Sequence, residues 1–111
     1  MRVMLDASFL IDHLRGDEAA LARFDKLFSD GDEPLLNAVV VCEVEVGLRP
    51  ADERAFAAIL AAAEFVQAGP KAARDAGSWR RAALRRSGAL SLGDALIAAE
   101  AVHMGAAVLT R

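Results

Sequence analysis

The sequence predicts an α/β fold: a single three-layer domain in which a mostly parallel central sheet of about four strands is flanked by helices. Three observations predict it. Short apolar, β-branched segments alternate with stretches whose apolar residues recur at helical spacing, the pattern of strand-helix-strand units built on a parallel sheet. No linker, internal repeat or low-complexity segment interrupts that alternation. A length of 111 residues suits one domain whose hydrophobic core sustains folding without disulfides or structural zinc.

The elements follow in order. Val3 to Leu5 is a buried-strand candidate, and Asp6-Ala7-Ser8 supplies capping side chains before Phe9-Leu10-Ile11. After the break at Gly16-Asp17, residues Ala20, Leu21, Phe24, Leu27 and Phe28 recur at helical spacing until Asp30-Gly31-Asp32 ends the segment. Pro34 to Asn37 reads as a second strand. Val39 to Gly47 is ambiguous: its β-branched run and the alternation after Cys42 favour strand, whereas Gly47 and Pro50 punctuate like a helix end. In a strand Glu43 and Glu45 share a face; in a helix they lie about 200° apart and only one looks inward. Asp52 caps a helical stretch with an apolar stripe at Phe56, Ile59, Leu60 and Ala63, and Phe65-Val66 forms a short third strand. Pro70 opens a long helix to about Ser87 with core face Ala72, Ala76, Trp79 and Ala83. Ser91-Leu92-Gly93-Asp94 has the form of a capping box for a helix through Met104, which Gly105 ends before a last strand, Ala106 to Thr110.

Composition narrows the function classes. The lone cysteine, Cys42, cannot form an internal disulfide or a thiolate metal site, so the sequence carries no oxidising-compartment signature and the cytoplasm is the expected location. Asp6 follows the first apolar residues too closely to leave room for a signal peptide's apolar region, and no apolar run approaches the roughly 20 residues of a membrane span. The net charge of −3 is unevenly spread. Segment 71–86 holds six basic residues against Asp75 alone and carries +5; seven basic and fifteen acidic residues elsewhere leave −8.

Ligands of parallel sheets bind at the carboxyl ends of the strands, so acids just past a strand stand out as candidates. Asp6 is one, with helix capping as its alternative role. Glu43 follows the second strand among apolar residues, where burial of an uncompensated carboxylate costs several kcal/mol. Asp94 complements a helix dipole, but it shares a face with Ile97, Ala98 and Ala101, which turns it toward the core. Three inward acids repel one another unless a cation sits between them, and hard oxygen ligands imply Mg²⁺ or Mn²⁺. Such ions suit phosphodiester hydrolysis, by activating water and stabilising charge on the scissile phosphate. No nucleophilic triad or glycine-rich phosphate loop competes, and His13 and His103 read as surface or packing residues. Lys71, Arg74, Arg81 and Arg85 share one helical stripe, which either follows a phosphate backbone or forms a solvated face.

Leu5-Asp6-Ala7-Ser8-Phe9-Leu10-Ile11-Asp12 with Leu14-Arg15-Gly16, then Cys42-Glu43-Val44-Glu45-Val46-Gly47, then Leu92-Gly93-Asp94-Ala95-Leu96-Ile97-Ala98-Ala99 together resemble the PIN-domain nucleases, especially the VapC-type toxins of toxin-antitoxin pairs. The likeness spans nearly the whole chain. It implies that Asp6, Glu43 and Asp94 are the metal-binding carboxylates, that the Glu43 segment is a helix with Glu45 facing away, that Ser8 supports Asp6, and that Thr110 fills a hydroxyl position at the end of the fourth strand. It further implies Mg²⁺-dependent cleavage of RNA, a homodimer, and an antitoxin that blocks the acidic site. One departure stands out: the family places another acidic residue a few positions beyond the Thr110-Arg111 equivalent, followed by a further strand, and residues 1–111 include neither. The alternatives are a longer natural chain, catalysis by three carboxylates, or a PIN-like binding module that dimerises and binds an antitoxin without cleaving. DNA or a small phosphoester is the alternative substrate.

Overall fold

The computed structural model describes all 111 residues. Its elements run β1 (Arg2–Leu5), α1 (Ala7–Leu14), α2 (Glu18–Ser29), β2 (Glu33–Leu36), α3 (Ala38–Val46), a 3-10 turn (Pro50–Asp52), α4 (Glu53–Ala62), β3 (Glu64–Phe65), α5 (Pro70–Arg85), α6 (Leu92–Met104) and β4 (Ala107–Leu109). The four strands form one sheet in the order β3-β2-β1-β4, and every pairing is parallel. Strands β1 and β2 are the two interior strands, and their side chains are the most deeply buried: Met4, Leu5 and Leu35 have no exposed surface. Val3 pairs with Pro34 on one side and Ala107 on the other, so the carboxyl ends of β1, β2 and β4 all open on the same edge.

The segment 39–47 is a helix, with its start fixed by Asn37 rather than by any strand signal. The Asn37 side chain accepts a hydrogen bond from Val40 N at 2.9 Å, satisfying a first-turn donor. Val40 and Val44, one turn apart, are then driven into the core at 0% and 1% exposure, which outweighs the β-preference of the valine run. Asn37 itself is a cap and not the end of the second strand. The third strand lies one residue earlier than the sequence suggested, and its Phe65 is exposed, while Val66 is buried and donates its N–H to Leu36 O.

Two clusters hold the layers together. The larger joins the sheet to α1, α3, α4 and the later turns of α6 through residues including Phe9, Leu10, Val40, Phe56 and Ile97. The smaller is an alanine seam, Ala72 and Ala76 of α5 against Ala95 and Ala99 of α6, where small side chains let the two helices approach closely. Trp79, which the sequence put on the core face of α5, is exposed instead, because the small cluster closes on Ala72 and Ala76 with Leu90 and Leu96 packed against it. Leu21, Phe28 and Leu60 are likewise exposed rather than inward. No helix is long and apolar enough to cross a membrane.

Candidate active site

Asp6 leaves β1 and occupies the N-cap position of α1, yet its side chain makes no capping hydrogen bond. The carboxylate is instead held from two directions. Ser8 Oγ donates to Asp6 Oδ2 at 2.9 Å, and Thr110 Oγ1 donates to the same oxygen at 2.8 Å. The two hydroxyls are 3.1 Å apart, and Asp6 N donates to Leu109 O, so the end of β4 is fastened to the end of β1 beside the carboxylate. A capping role would have used this side chain up; here it is oriented, half-buried and available.

Glu43 projects from the middle of α3 and Asp94 from the first turn of α6. Ser91 Oγ accepts from Asp94 N at 3.0 Å, which fixes the start of that turn. Both side chains are exposed, which corrects the expectation that they point into the core. The reason is local in each case. On α3 the inward face belongs to Val40 and Val44, leaving Glu43 at the rim beside α6; on α6 the inward face starts with Ala95 and Ile97, after Asp94 has passed. Glu43 borders an open hollow with Leu92 and Gly93, and Asp6 and Asp94 lie close enough for their charges to act on it. Glu43 Oε1 lies against Gly93, so close that a Cβ at that position would collide with it and come 3.2 Å from Val39 Cγ1. Burial against this surface, and then the negative charges of Asp6 and Asp94, hold the Glu43 carboxyl above the usual glutamate range. Glu45 is exposed on the other side of α3.

Those three carboxylates do not close into a ligand cluster: no group of three or more His, Cys, Asp or Glu side chains stands in metal-holding geometry. Their chemistry nevertheless fits a hard divalent cation. All donors are carboxylate oxygens, the charges of both aspartates disfavour ionisation of Glu43, and the lack of a side chain at Gly93 gives Glu43 Oε1 the room it occupies.

The other candidates fall elsewhere. Lys71, Arg74 and Arg81 line an open hollow of about 790 Å³ along α5 with no hydrophobic residue in its wall. Arg85 lies outside it. His13 packs against Phe24 with ring centroids 4.4 Å apart, and burial lowers its pKa; His103 Nε2 bonds Asp75 at 2.7 Å. Neither joins a catalytic constellation. Two interactions were not foreseen. Arg111 grips Asp12 with two hydrogen bonds of 2.8 Å and donates its backbone N–H to Ser8 Oγ at 3.3 Å, which braces the hydroxyl that holds Asp6. Asn37 Nδ2 donates to Glu100 Oε2 at 3.1 Å, with both residues buried.

A small parallel α/β domain with an acidic cleft at the carboxyl edge of its sheet is the class that fold and site define together. The comparisons make the class specific. A family model for the PIN domain matches residues 3–111, and the chain belongs to that family. It is 29% identical over 107 residues to Ribonuclease VapC19 of Mycobacterium tuberculosis, covering 96% of this chain and 86% of that protein. Among solved structures, VapBC2 of Rickettsia felis, bound to a DNA fragment from its promoter, superposes with a TM-score of 0.82 at 16% identity, over 99% of this chain and 86% of that one. VapC20 of Mycobacterium tuberculosis, a toxin that cleaves the sarcin-ricin loop, superposes at 0.67 with 20% identity, over 94% and 84% of the two chains.

Proposed function

We propose that the chain is an endoribonuclease toxin of a toxin-antitoxin pair, acting in the cytoplasm, in which Asp6, Glu43 and Asp94 hold Mg²⁺ or Mn²⁺. The observation that carries this reading is the Asp6 carboxylate, released from capping and held by Ser8 and Thr110, with its charge and that of Asp94 felt at Glu43. Ser8 and Thr110 both donate to Oδ2, so they fix the carboxylate's rotation and leave Oδ1 without a side-chain donor. Glu43 must be ionised to bind a cation, and a bound cation would offset the burial and the two aspartate charges that disfavour its ionised form. The divalent ion, once bound, supplies activation of water and charge stabilisation at the scissile phosphate. Lys71, Arg74, Arg81 and Arg85 on α5 steer the RNA backbone. Partner docking, by an antitoxin or a second copy in a homodimer, is supported by the exposed apolar hollow of Val41, Val46 and Phe65 beside Ala38 and Cys42.

The similarity to Ribonuclease VapC19 supports RNA as substrate. Incubation of the protein with fluorescent RNA across a Mg²⁺ or Mn²⁺ titration tests the reading: cleavage that chelator and Asp6→Asn both abolish is expected. Wild-type protein that leaves RNA intact at every metal concentration would sink it. The open spacing of the three acids favours one second reading, a PIN-like module that binds a partner without cleaving; inert protein that still captures an antitoxin identifies it.

A further inference from the structure

Glu100 lies on α6 with 3% of its surface exposed, and no basic side chain bonds it. Its Oε2 accepts from Asn37, while Oε1 is buried without any hydrogen-bond partner. An unsatisfied buried carboxylate oxygen costs more than an ordinary lost hydrogen bond, so a group that the cleavage chemistry does not use calls for a donor. Glu100 also lines a hollow of about 260 Å³ with Asn37, Val39, Gln67 and Leu96. A second hollow of about 380 Å³ runs from Glu43 and Gly93 over Val39 and Leu96. The two share Ala38, Val39 and Leu96, and so form one trough between α3 and α6 with an apolar floor. One end is the acidic cleft; the other is Glu100.

We propose that this trough is a nucleobase subsite, in which a guanine flanking the scissile phosphate lies on Ala38, Val39 and Leu96 and donates its Watson-Crick edge to Glu100. The proposal rests on the nuclease reading and adds a specificity residue to it. Glu100 follows Asp94 by six residues, about 9 Å along the helix axis at roughly 1.5 Å per residue. That is the order of the span from a phosphate to the far edge of its own purine. Single-stranded RNA presents such edges to proteins freely, over apolar surfaces. Guanine is the base that matches, because it alone carries two adjacent donors, N1–H and the N2 amine, and a carboxylate offers acceptors only. Adenine, cytosine and uracil each place at least one acceptor next to their donor, which the carboxylate repels. On binding, the Glu100 side chain turns Oε1 from its closed position onto the base.

The test uses a short single-stranded RNA with one guanosine among adenosines and uridines, and its twin carrying inosine, which lacks the N2 amine. Cleavage in Mg²⁺ is measured for the wild type and Glu100→Gln, and affinity for both RNAs is measured with Asp6→Asn protein, with and without Glu100→Gln. The wild type is expected to favour guanosine over inosine about tenfold, the scale of one hydrogen bond to a charged acceptor, and Glu100→Gln to narrow the gap to within about twofold. Leu96→Trp, which fills the trough and leaves Glu100 in place, should narrow it as well; thermal melting checks that both variants are folded. Equal handling of the two RNAs by the wild type overturns the subsite, as does a gap unchanged in Glu100→Gln, which would leave Glu100 a structural partner of Asn37. Capture of a lysine-rich peptide in place of RNA, dependent on Glu100, would overturn it in favour of a protein partner. Discrimination in binding without any wild-type cleavage would refute the nuclease reading and leave the subsite standing.

Discussion

The contact between Glu43 Oε1 and Gly93 makes the backbone of α6 part of the acidic cleft. Adding a single methyl there tests the cleft without attacking a carboxylate. Gly93→Ala should leave the melting temperature nearly unchanged, because the far end of a glutamate can swing aside, but should weaken Mg²⁺ binding by displacing one ligand; calorimetric titration measures it. Unchanged affinity would argue that Glu43 is not a ligand. The protonation of Glu43 offers an independent check. Its folded-state pKa lies above the ordinary value of 4.5, chiefly through burial and then through Asp6 and Asp94, so the folded state disfavours its ionised form. Without metal this destabilisation is absent at pH below 4.5, grows as pH rises from there, and is complete once pH has passed the folded value. Glu43→Gln in chelator should therefore melt higher than the wild type at neutral pH and show little difference near pH 4, the lower limit being set by the glutamate range. Asp12 carries the opposite sign: Arg111 holds its pKa below 3.8, so that clamp weakens only in stronger acid.

At the scale of elements, α3 decides where the cleft forms, and Asn37 decides where α3 starts. Asn37→Ala removes the cap and also orphans Glu100 Oε2, so denaturant unfolding should reveal a loss above the roughly 1 kcal/mol of a cap alone. Asn37→Asp keeps the cap but sets a second carboxylate against buried Glu100, and should destabilise at neutral pH more than in acid. Much of this architecture was legible in the sequence, since strands, caps and breaks are short-range signals: Leu5-Asp6, the Ser91 cap and the Gly105 stop stand where the pattern put them, Gly105 with φ of +63°. The valine run at 39–41 was not legible, because a β-prone sequence was overridden by the burial of Val40 and Val44, which depends on the sheet beneath. Around the candidate site, the position of Asp6 just past a strand was readable but the exposure of Glu43 and Asp94 was not. Whether Glu43 points to core or rim depends on which neighbouring residues claim the inward face of α3. Pairs such as Asn37 with Glu100, or Arg111 with Asp12, join residues far apart in the chain and leave no local periodicity to detect.

Across the whole molecule, the three candidate site acids lie on α3, α6 and the end of β1 while α5 carries the basic stripe. A cation bound only by the folded chain should raise stability by about 2.7 kcal/mol at a hundredfold excess over its dissociation constant. Scanning calorimetry with and without Mg²⁺ should show that rise in wild type and its loss in Asp6→Asn. The bond from Thr110 to Asp6 spans 104 positions of the chain and has one further consequence. During synthesis Asp6 leaves the ribosome long before the hydroxyl that orients it, and β4, which fastens the edge, emerges last among the strands. A nascent chain thus carries all three acids before it has the means to aim the first of them. The cell translating this protein meets the finished arrangement only after nearly every codon of these residues has been read.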